Sequence, residues 1–289
     1  MRFDRSSALL FFILISLFLN GCSRTSGTYS VIEPSSTPAL PLPDVDSMIE
    51  RIATQDGCRD FSALMRMTSL AQGGKKDQIE FSVQRKYTPA RVSTFLSVIA
   101  PRQETDKAIL AFEQPDQATQ AFSYLPGLKK LSKFNSEKQL GFHGSTVTVQ
   151  ELLGMELTQY THNAGERVMK GEEPAIKIEF KEKPYFGLGF PRIVGYFREK
   201  DGEPLDFELY DMRNELQKRI SIAAVRTIQN RRTITRILID DLSQKLKLEL
   251  EMLKIEYDRG LPESTFTTKH LIEFISNAGR ILDQDRKGG

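Results

Sequence analysis

The sequence predicts an α+β protein built on one dominant antiparallel sheet, and three observations carry that reading. First, apolar and polar residues alternate over several long runs. Ile79, Phe81 and Val83 do so, as do Ile176, Ile178 and Phe180 against Lys177, Glu179 and Lys181, then Leu205, Phe207 and Leu209. One apolar and one charged face per strand is the signature of an antiparallel sheet wet on one side. Second, turn residues punctuate the runs at Gly73-Gly74, Gly165, Asp201-Gly202 and Arg213-Asn214, spaced as in a meander. Third, too few segments have helical spacing to cover a sheet of about ten strands. Such a sheet either curls on itself towards a barrel or stays incompletely closed and is plugged by a few helices. Both arrangements give a partly hollow apolar interior.

The chain opens with a basic Met1-Arg2-Phe3-Asp4-Arg5 start and an apolar run from Ala8 to Leu19 broken only by Ser16. At about 1.5 Å per residue this run is too short to span a hydrocarbon core of about 30 Å, and it fits the central region of a secretory signal. Leu19-Asn20-Gly21-Cys22 follows it directly and resembles the bacterial lipobox, in which the cysteine thiol receives a diacylglycerol group. Residues 1–21 are therefore expected to be a lipoprotein signal peptide and Cys22 the lipidation site. Several acyl chains give stable anchoring. Ser23 stands where an aspartate would signal inner-membrane retention, which favours the outer membrane over the inner, with the protein facing the periplasm.

Residues 22–44 are rich in Ser, Thr and Pro and read as an extended tether, because such a stretch cannot bury enough apolar surface to offset its ordering entropy. Asp46 or Ser47 is expected to cap a first helix through Met48, Ile49 and Ile52 that ends near Gly57. Strands fill most of the rest. Leu246, Leu248, Leu250 and Met252 alternate with Lys247, Glu249 and Glu251, but the phase slips by one at Met252-Leu253 before Leu253, Ile255 and Tyr257 continue. A β-bulge is the economical explanation. Pro115 to Ala121 reads as a turn, and Ser136 to Leu153 as a loop leading into a short element. Thr265 to Ile275 is expected to run from a strand into a closing helix, with Leu271, Ile272 and Ile275 at helical spacing. A single domain over 45–277 and a polar tail over 278–289 complete the organisation.

Composition narrows the function. With 39% hydrophobic and 27% charged residues the chain is neither disordered nor a polytopic membrane protein. Its formal net charge is +2, and loss of Arg2, Arg5 and Asp4 with the signal leaves +1, so nothing draws it to nucleic acid. Cys22 and Cys58 form no CxxC pair, which excludes a disulfide framework or a cysteine-rich zinc site. Cys58 is expected to be a buried small hydrophobe. No catalytic residue, metal or cofactor is expected. Gly141-Phe142-His143-Gly144-Ser145 lacks the GxSxG pattern of a nucleophile elbow, and adjacent side chains of an extended segment point to opposite faces. His162 and His270 lack partners at metal-ligand spacing. Arg226, Arg231, Arg232 and Arg236 fit the charged outer face of a hairpin better than a phosphate site.

Tyr124-Leu125-Pro126-Gly127-Leu128-Lys129-Lys130-Leu131, followed by Phe142-His143-Gly144-Ser145, resembles the "YLPAxxKVRRI … FxGSDFSYED" signature of the LolA/LolB-like outer-membrane lipoprotein-sorting proteins. Met65-Arg66-Met67-Thr68 and Pro101 fall in the expected order. Leu261-Pro262-Glu263-Ser264-Thr265-Phe266-Thr267 is similar to the family's closing "IPxxxFT" element. Departures occur at Thr146, where the family has an acid, at Val147 and Val149, and in Pro101-Arg102-Gln103-Glu104, which lacks a glycine. The resemblance spans roughly residues 49–272. It implies a curved antiparallel sheet, an incomplete β-barrel, with helices plugging its concave face and acyl chains held in the concavity.

Under that resemblance, Phe81, Val83, Leu110, Phe112, Phe180, Phe207 and Leu248 are the candidate lining of the acyl-chain cavity. Phe186, Leu188 and Phe190, interleaved with Gly187 and Gly189, form a candidate loop at its mouth. An exposed acyl chain costs about 0.8 kcal/mol per CH₂, so a carrier needs only an apolar shelter. The expected partners are acyl chains of lipoproteins or lipids, the membrane through Cys22, and an envelope exporter if the role is transport. The alternative is a non-transport envelope module that senses stress or scaffolds a complex on the same fold.

Overall fold

In the computed structural model the described residues are 42, 44–53, 57–71, 74, 76–114, 117–135, 139–142, 145–148, 157, 160–183 and 190–288. Residues 1–41, with Cys22 and most of the expected tether, lie outside them, and all described residues fall in one unit, Pro41–Gly289. Helix α1 (Val45–Ala53) starts two or three residues earlier than the sequence suggests. Asp44, rather than Asp46 or Ser47, caps it: Asp44 Oδ1 accepts from the Ser47 amide at 3.4 Å and Oδ2 from the Ser47 hydroxyl at 2.7 Å.

The strands that follow are β1 (Asp60–Ala71), β2 (Lys76–Tyr87), β3 (Val92–Ala100), β4 (Ala108–Glu113), β5 (Gln120–Leu125) and β6 (Lys130–Asn135). A separate hairpin of β7 (Gln139–Phe142) and β8 (Ser145–Thr148) intervenes. Then come β9 (Tyr160–His162), β10 (Glu166–Lys170), β11 (Glu173–Glu182), β12 (Arg192–Arg198), β13 (Pro204–Tyr210), β14 (Leu216–Ile228), β15 (Arg231–Asp241) and β16 (Leu246–Tyr257). Helix α2 (Thr268–Gly288) closes the chain. A 3-10 turn at Glu263–Phe266, not a strand, leads into α2, and the helix takes in residues expected to form a polar tail. Gln120 and Ala121, read as part of a turn, open β5 instead.

Among the described residues, fourteen strands form one antiparallel sheet in the order β10 to β16, then β1 to β6, with β9 beside β11. Two consecutive meanders are thus joined where β16 pairs β1, and β6 and β10 remain as edges of an unclosed, curved sheet. The bulge expected at Met252-Leu253 is present: Leu64 pairs Lys254 while Met65 pairs Met252, so Leu253 is the unpaired residue that resets the phase.

Cross-strand register assigns every side chain to a face. On the inner face a single apolar cluster runs from Leu96 and Val98 through Phe81 and Val83, Ala63 and Met67, Leu248 and Leu250, Ile239, Ile220 and Phe207 to Ile193, Ile178 and Phe180. Val45, Met48 and Ile49 of α1 join it. Helix α2 instead covers the outer face over β3 to β5, where Leu271 and Ile275 pack with Phe95, Ala108 and Leu110. Elsewhere the outer face carries charge, tied by pairs such as Arg192–Glu179 at 2.6 Å and Arg236–Glu249 at 2.5 Å. Such half-exposed pairs contribute about 0–1 kcal/mol each and serve mainly to keep that face wet.

Gly195 marks the tightest point of the inner face. A Cβ there would come within 2.7 Å of the Phe197 ring and 3.1 Å of the Phe180 ring. Phe197 in turn stands edge-on to Phe207 at 5.6 Å. Gly195→Val should therefore force these rings off their rotamers and destabilise the fold by about 1–3 kcal/mol, measured by urea unfolding.

Candidate apolar inner face and its polar anchors

Five of the seven candidate cavity residues share the inner face: Phe81 and Val83 on β2, Phe180 on β11, Phe207 on β13 and Leu248 on β16, all buried in the main cluster. Leu110 and Phe112 do not. Leu110 pairs Phe95, and both Leu110 and Phe112 belong to the second cluster, under α2 on the outer face. Their strand is apolar at five successive positions, Ala108-Ile109-Leu110-Ala111-Phe112, because both of its faces are covered. Alternation cannot choose a side in such a run. Ile109, opposite Leu96, and Ala111, opposite Thr94, are the apolar β4 residues that face inward.

The family motif also divides. Tyr124 packs with the α2 cluster, whereas Leu125 and Pro126 are exposed at the 3-10 turn Pro126–Leu128, and Lys129 closes that turn in the left-handed region at φ 48°. Phe142 and Ser145 pair across the β7–β8 hairpin, while His143 and Gly144 lie outside the described residues. Of the mouth loop, Phe186 and Leu188 also lie outside them. Phe190 is half-buried against the main cluster, and its carbonyl accepts from the Tyr160 hydroxyl at 2.9 Å.

Sequence reasoning missed the charges set into the inner face. Near the end where β2 finishes, Arg85 on β2 reaches across Thr94 on β3 to Glu113 on β4, with Arg85 Nη2 2.6 Å from Glu113 Oε2. Both side chains are about one-tenth exposed. Burial holds the Glu113 carboxyl above its ordinary range, while the Arg85 guanidinium pulls it part of the way back. Glu113 Oε1 and the Thr94 hydroxyl have no hydrogen-bond partner among the described residues. At the opposite end Lys218 Nζ lies 3.1 Å from Asp241 Oδ2, and the ammonium stands 5.7 Å from the Phe190 ring. An alternating pattern with one Arg, Glu, Lys or Asp at the strand tip reads as a strand end running into solvent, so no signal in the sequence marked these positions as buried.

Cys58 is buried, and that burial pushes its thiol up to about 11, which leaves it protonated and unreactive near neutral pH. Tyr87 is pushed up to about 12 for the same reason. His162 Nε2 meets Asp46 Oδ1 at 3.1 Å, and the His270 ring lies tilted against Phe95 at 4.9 Å, so each has a structural partner. The arginine cluster lies on the β14–β15 hairpin, with Arg231 paired to Asp258 at 2.8 Å and Arg232 to Glu203. A groove of about 470 Å³ lies over β1 and β14 to β16, lined among others by Leu70, Leu238, Arg219 and Lys247.

The closing element is held by one carboxylate. Asp60, buried at the start of β1, accepts the amides of Arg259 at 2.7 Å, Gly260 at 3.1 Å and Leu261 at 3.2 Å. Lys86 donates to the Leu261 carbonyl at 2.8 Å and pairs with Glu263 at 2.8 Å. Phe266 is then buried, and Thr267 Oγ1 accepts the His270 amide at 3.1 Å, capping α2. The "IPxxxFT"-like stretch thus works as a strap from β16 to the helix.

An unclosed antiparallel sheet with an apolar inner face and helices against it is the LolA-like fold, which solved structures bear out. An outer-membrane lipoprotein-sorting protein domain from Vibrio parahaemolyticus superposes with a TM-score of 0.68 at 18% identity, covering 79% of this chain and 100% of that one. A LolA superfamily protein from Nitrosomonas europaea gives a TM-score of 0.66 at 15% identity, over 78% of this chain and 98% of that one. A domain-of-unknown-function family protein from Desulfovibrio piger gives 0.69 at 18% identity, over 78% and 96%. No curated protein matches the chain. A family model described as "uncharacterized protein" matches residues 90–273, well over half of the sequence, and the chain belongs to that family.

Proposed function

We propose that the protein is a membrane-anchored lipoprotein of the bacterial cell envelope that holds acyl chains against its inner apolar face and takes part in lipoprotein or lipid transfer. The carrying observation is the continuous inner cluster from β3 to β11 on a sheet whose edges, β6 and β10, do not meet. A sheet that is not locked into a closed barrel can widen by separating these edges from the elements packed inside. Phe81, Val83, Phe180, Phe207 and Leu248 are the lining side chains of this reading. Anchoring through Cys22, residence at the outer membrane and delivery from an envelope exporter belong to the same proposal. The Vibrio parahaemolyticus relative, described as lipoprotein-sorting, supports it through its fold.

Shelter from water is the whole chemical task, because each CH₂ taken out of water contributes about 0.8 kcal/mol. The test is transfer of a fluorescent diacyl lipid between vesicles. Serine at Phe186, Leu188 and Phe190 together should slow protein-mediated transfer about tenfold or more, on the scale of three lost apolar side chains. Unchanged transfer would remove the mouth role of that loop. No protein-mediated transfer by the native chain would remove the carrier reading. The second reading, a non-transport envelope module, is favoured by one observation: the inner-face phenylalanines Phe81, Phe180 and Phe207 are already buried in the cluster, Phe180 and Phe207 each against the Phe197 ring.

A further inference from the structure

Because the strands alternate in direction, the connections leave the sheet at two opposite rims. One rim carries the β1–β2, β3–β4, β5–β6, β13–β14 and β15–β16 turns, and the other carries the β2–β3, β4–β5, β10–β11, β12–β13 and β14–β15 turns. The two differ sharply in chemistry. On the first rim stand Leu70, Ile99, Leu125, Leu128, Met212 and Leu242, each exposed despite its size, with Leu128 73% and Met212 85% accessible. The second rim turns on Thr88-Pro89-Ala90-Arg91, Gly171-Glu172, Lys200-Asp201-Gly202 and Gln229-Asn230, and Met169 is the exposed large apolar residue nearest to it among the described residues. The apolar rim also carries Lys76, Lys129, Lys130 and Lys245, which are exposed and make no ion pair among the described residues.

We infer that this rim docks on an anionic lipid bilayer. Its apolar side chains are spread over five places, the ends of β1 and β3 and the β5–β6, β13–β14 and β15–β16 connections, with polar backbone between them. A rigid protein partner would need a matching socket for each, whereas the fluid headgroup and upper acyl region accepts scattered side chains one at a time. The four exposed lysines beside them complement anionic headgroups, each contributing about a fivefold gain in partitioning at low salt. Leu128 ends the Pro126–Leu128 turn, between Leu125 and the Lys129-Lys130 pair, giving an apolar tip with a cationic collar. The inference does not rest on the acyl-chain reading, because a protein with a filled interior would dock in the same way.

The chain contains no tryptophan, so one introduced indole reports from one place. Full-length chain carrying Leu128→Trp is reconstituted in vesicles of phosphatidylethanolamine and phosphatidylglycerol, and compared with Lys200→Trp on the opposite rim. Far-UV circular dichroism verifies that both variants fold. Docking predicts a blue-shifted emission and strong quenching by brominated lipid for Leu128→Trp, and neither for Lys200→Trp. Adding Lys129→Glu and Lys130→Glu to Leu128→Trp should lower the quenched fraction severalfold, as should replacing phosphatidylglycerol with phosphatidylcholine. Unquenched Leu128→Trp, equal quenching at both rims, or quenching indifferent to lipid charge would overturn it.

Discussion

Glu113→Leu is expected to destabilise the folded protein by about 3–5 kcal/mol, while the double variant Arg85→Met/Glu113→Leu recovers most of that loss or exceeds the native stability. The single change leaves the Arg85 guanidinium on a buried face without the carboxylate 2.6 Å away. The double change replaces a charge pair, whose desolvation offsets much of its attraction, with apolar volume continuous with the Val83 and Leu96 layer beside it. Urea unfolding of the two single variants and the double gives the coupling directly. A pH profile adds an independent check. Because burial raises the Glu113 carboxyl above its unfolded value of about 4.5, the folded state binds the extra proton between the two values. Its stabilising contribution is full below about 4.5 and is lost as the pH rises through the raised value, so Glu113→Gln should flatten that descending part of the stability profile.

The second large effect is expected at Asp60. Asp60→Ala removes the acceptor of three backbone amides in the Arg259–Leu261 strap, at a cost of about 3–5 kcal/mol for charge-assisted bonds lost together. Loss should spread in a defined direction. Hydrogen exchange in the first turns of α2 should rise before exchange in β14 to β16 does, because the strap positions Phe266 and the Thr267 cap. Asp60→Asn, which keeps acceptor oxygen but loses the charge, should cost roughly half as much. Equal exchange in α2 of the native protein and Asp60→Ala would contradict the strap's role.

Much of the sheet was legible in the sequence because period-2 alternation states which residues share a face. The Met252-Leu253 phase slip went further and located a bulge to the residue. What alternation could not give was the choice of face in β4, where Ala108 to Phe112 are all apolar and only register against Phe95 and Leu96 separates inward Ile109 from outward Leu110. Nor could it show that α2 lies on the outer face, since Leu271 and Ile275 require only some apolar partner. The buried pairs Arg85–Glu113 and Lys218–Asp241 were invisible for a related reason. Each joins residues distant in sequence, 28 apart in the first case, at strand ends that local reading assigns to solvent. The apolar rim depends on strand direction around the whole sheet, which scattered leucines in separate turns do not announce.

The central claim, an inner face that shelters acyl chains, is tested most directly by native mass spectrometry of a soluble version starting at Ser23, purified under mild conditions from bacterial cells. The account predicts a reproducible adduct with the mass of a phospholipid or acylated peptide, lost on delipidation and regained on adding lipid. A clean mass without adduct, and no uptake of added lipid or lipopeptide, would contradict it and leave the inner face as a filled core.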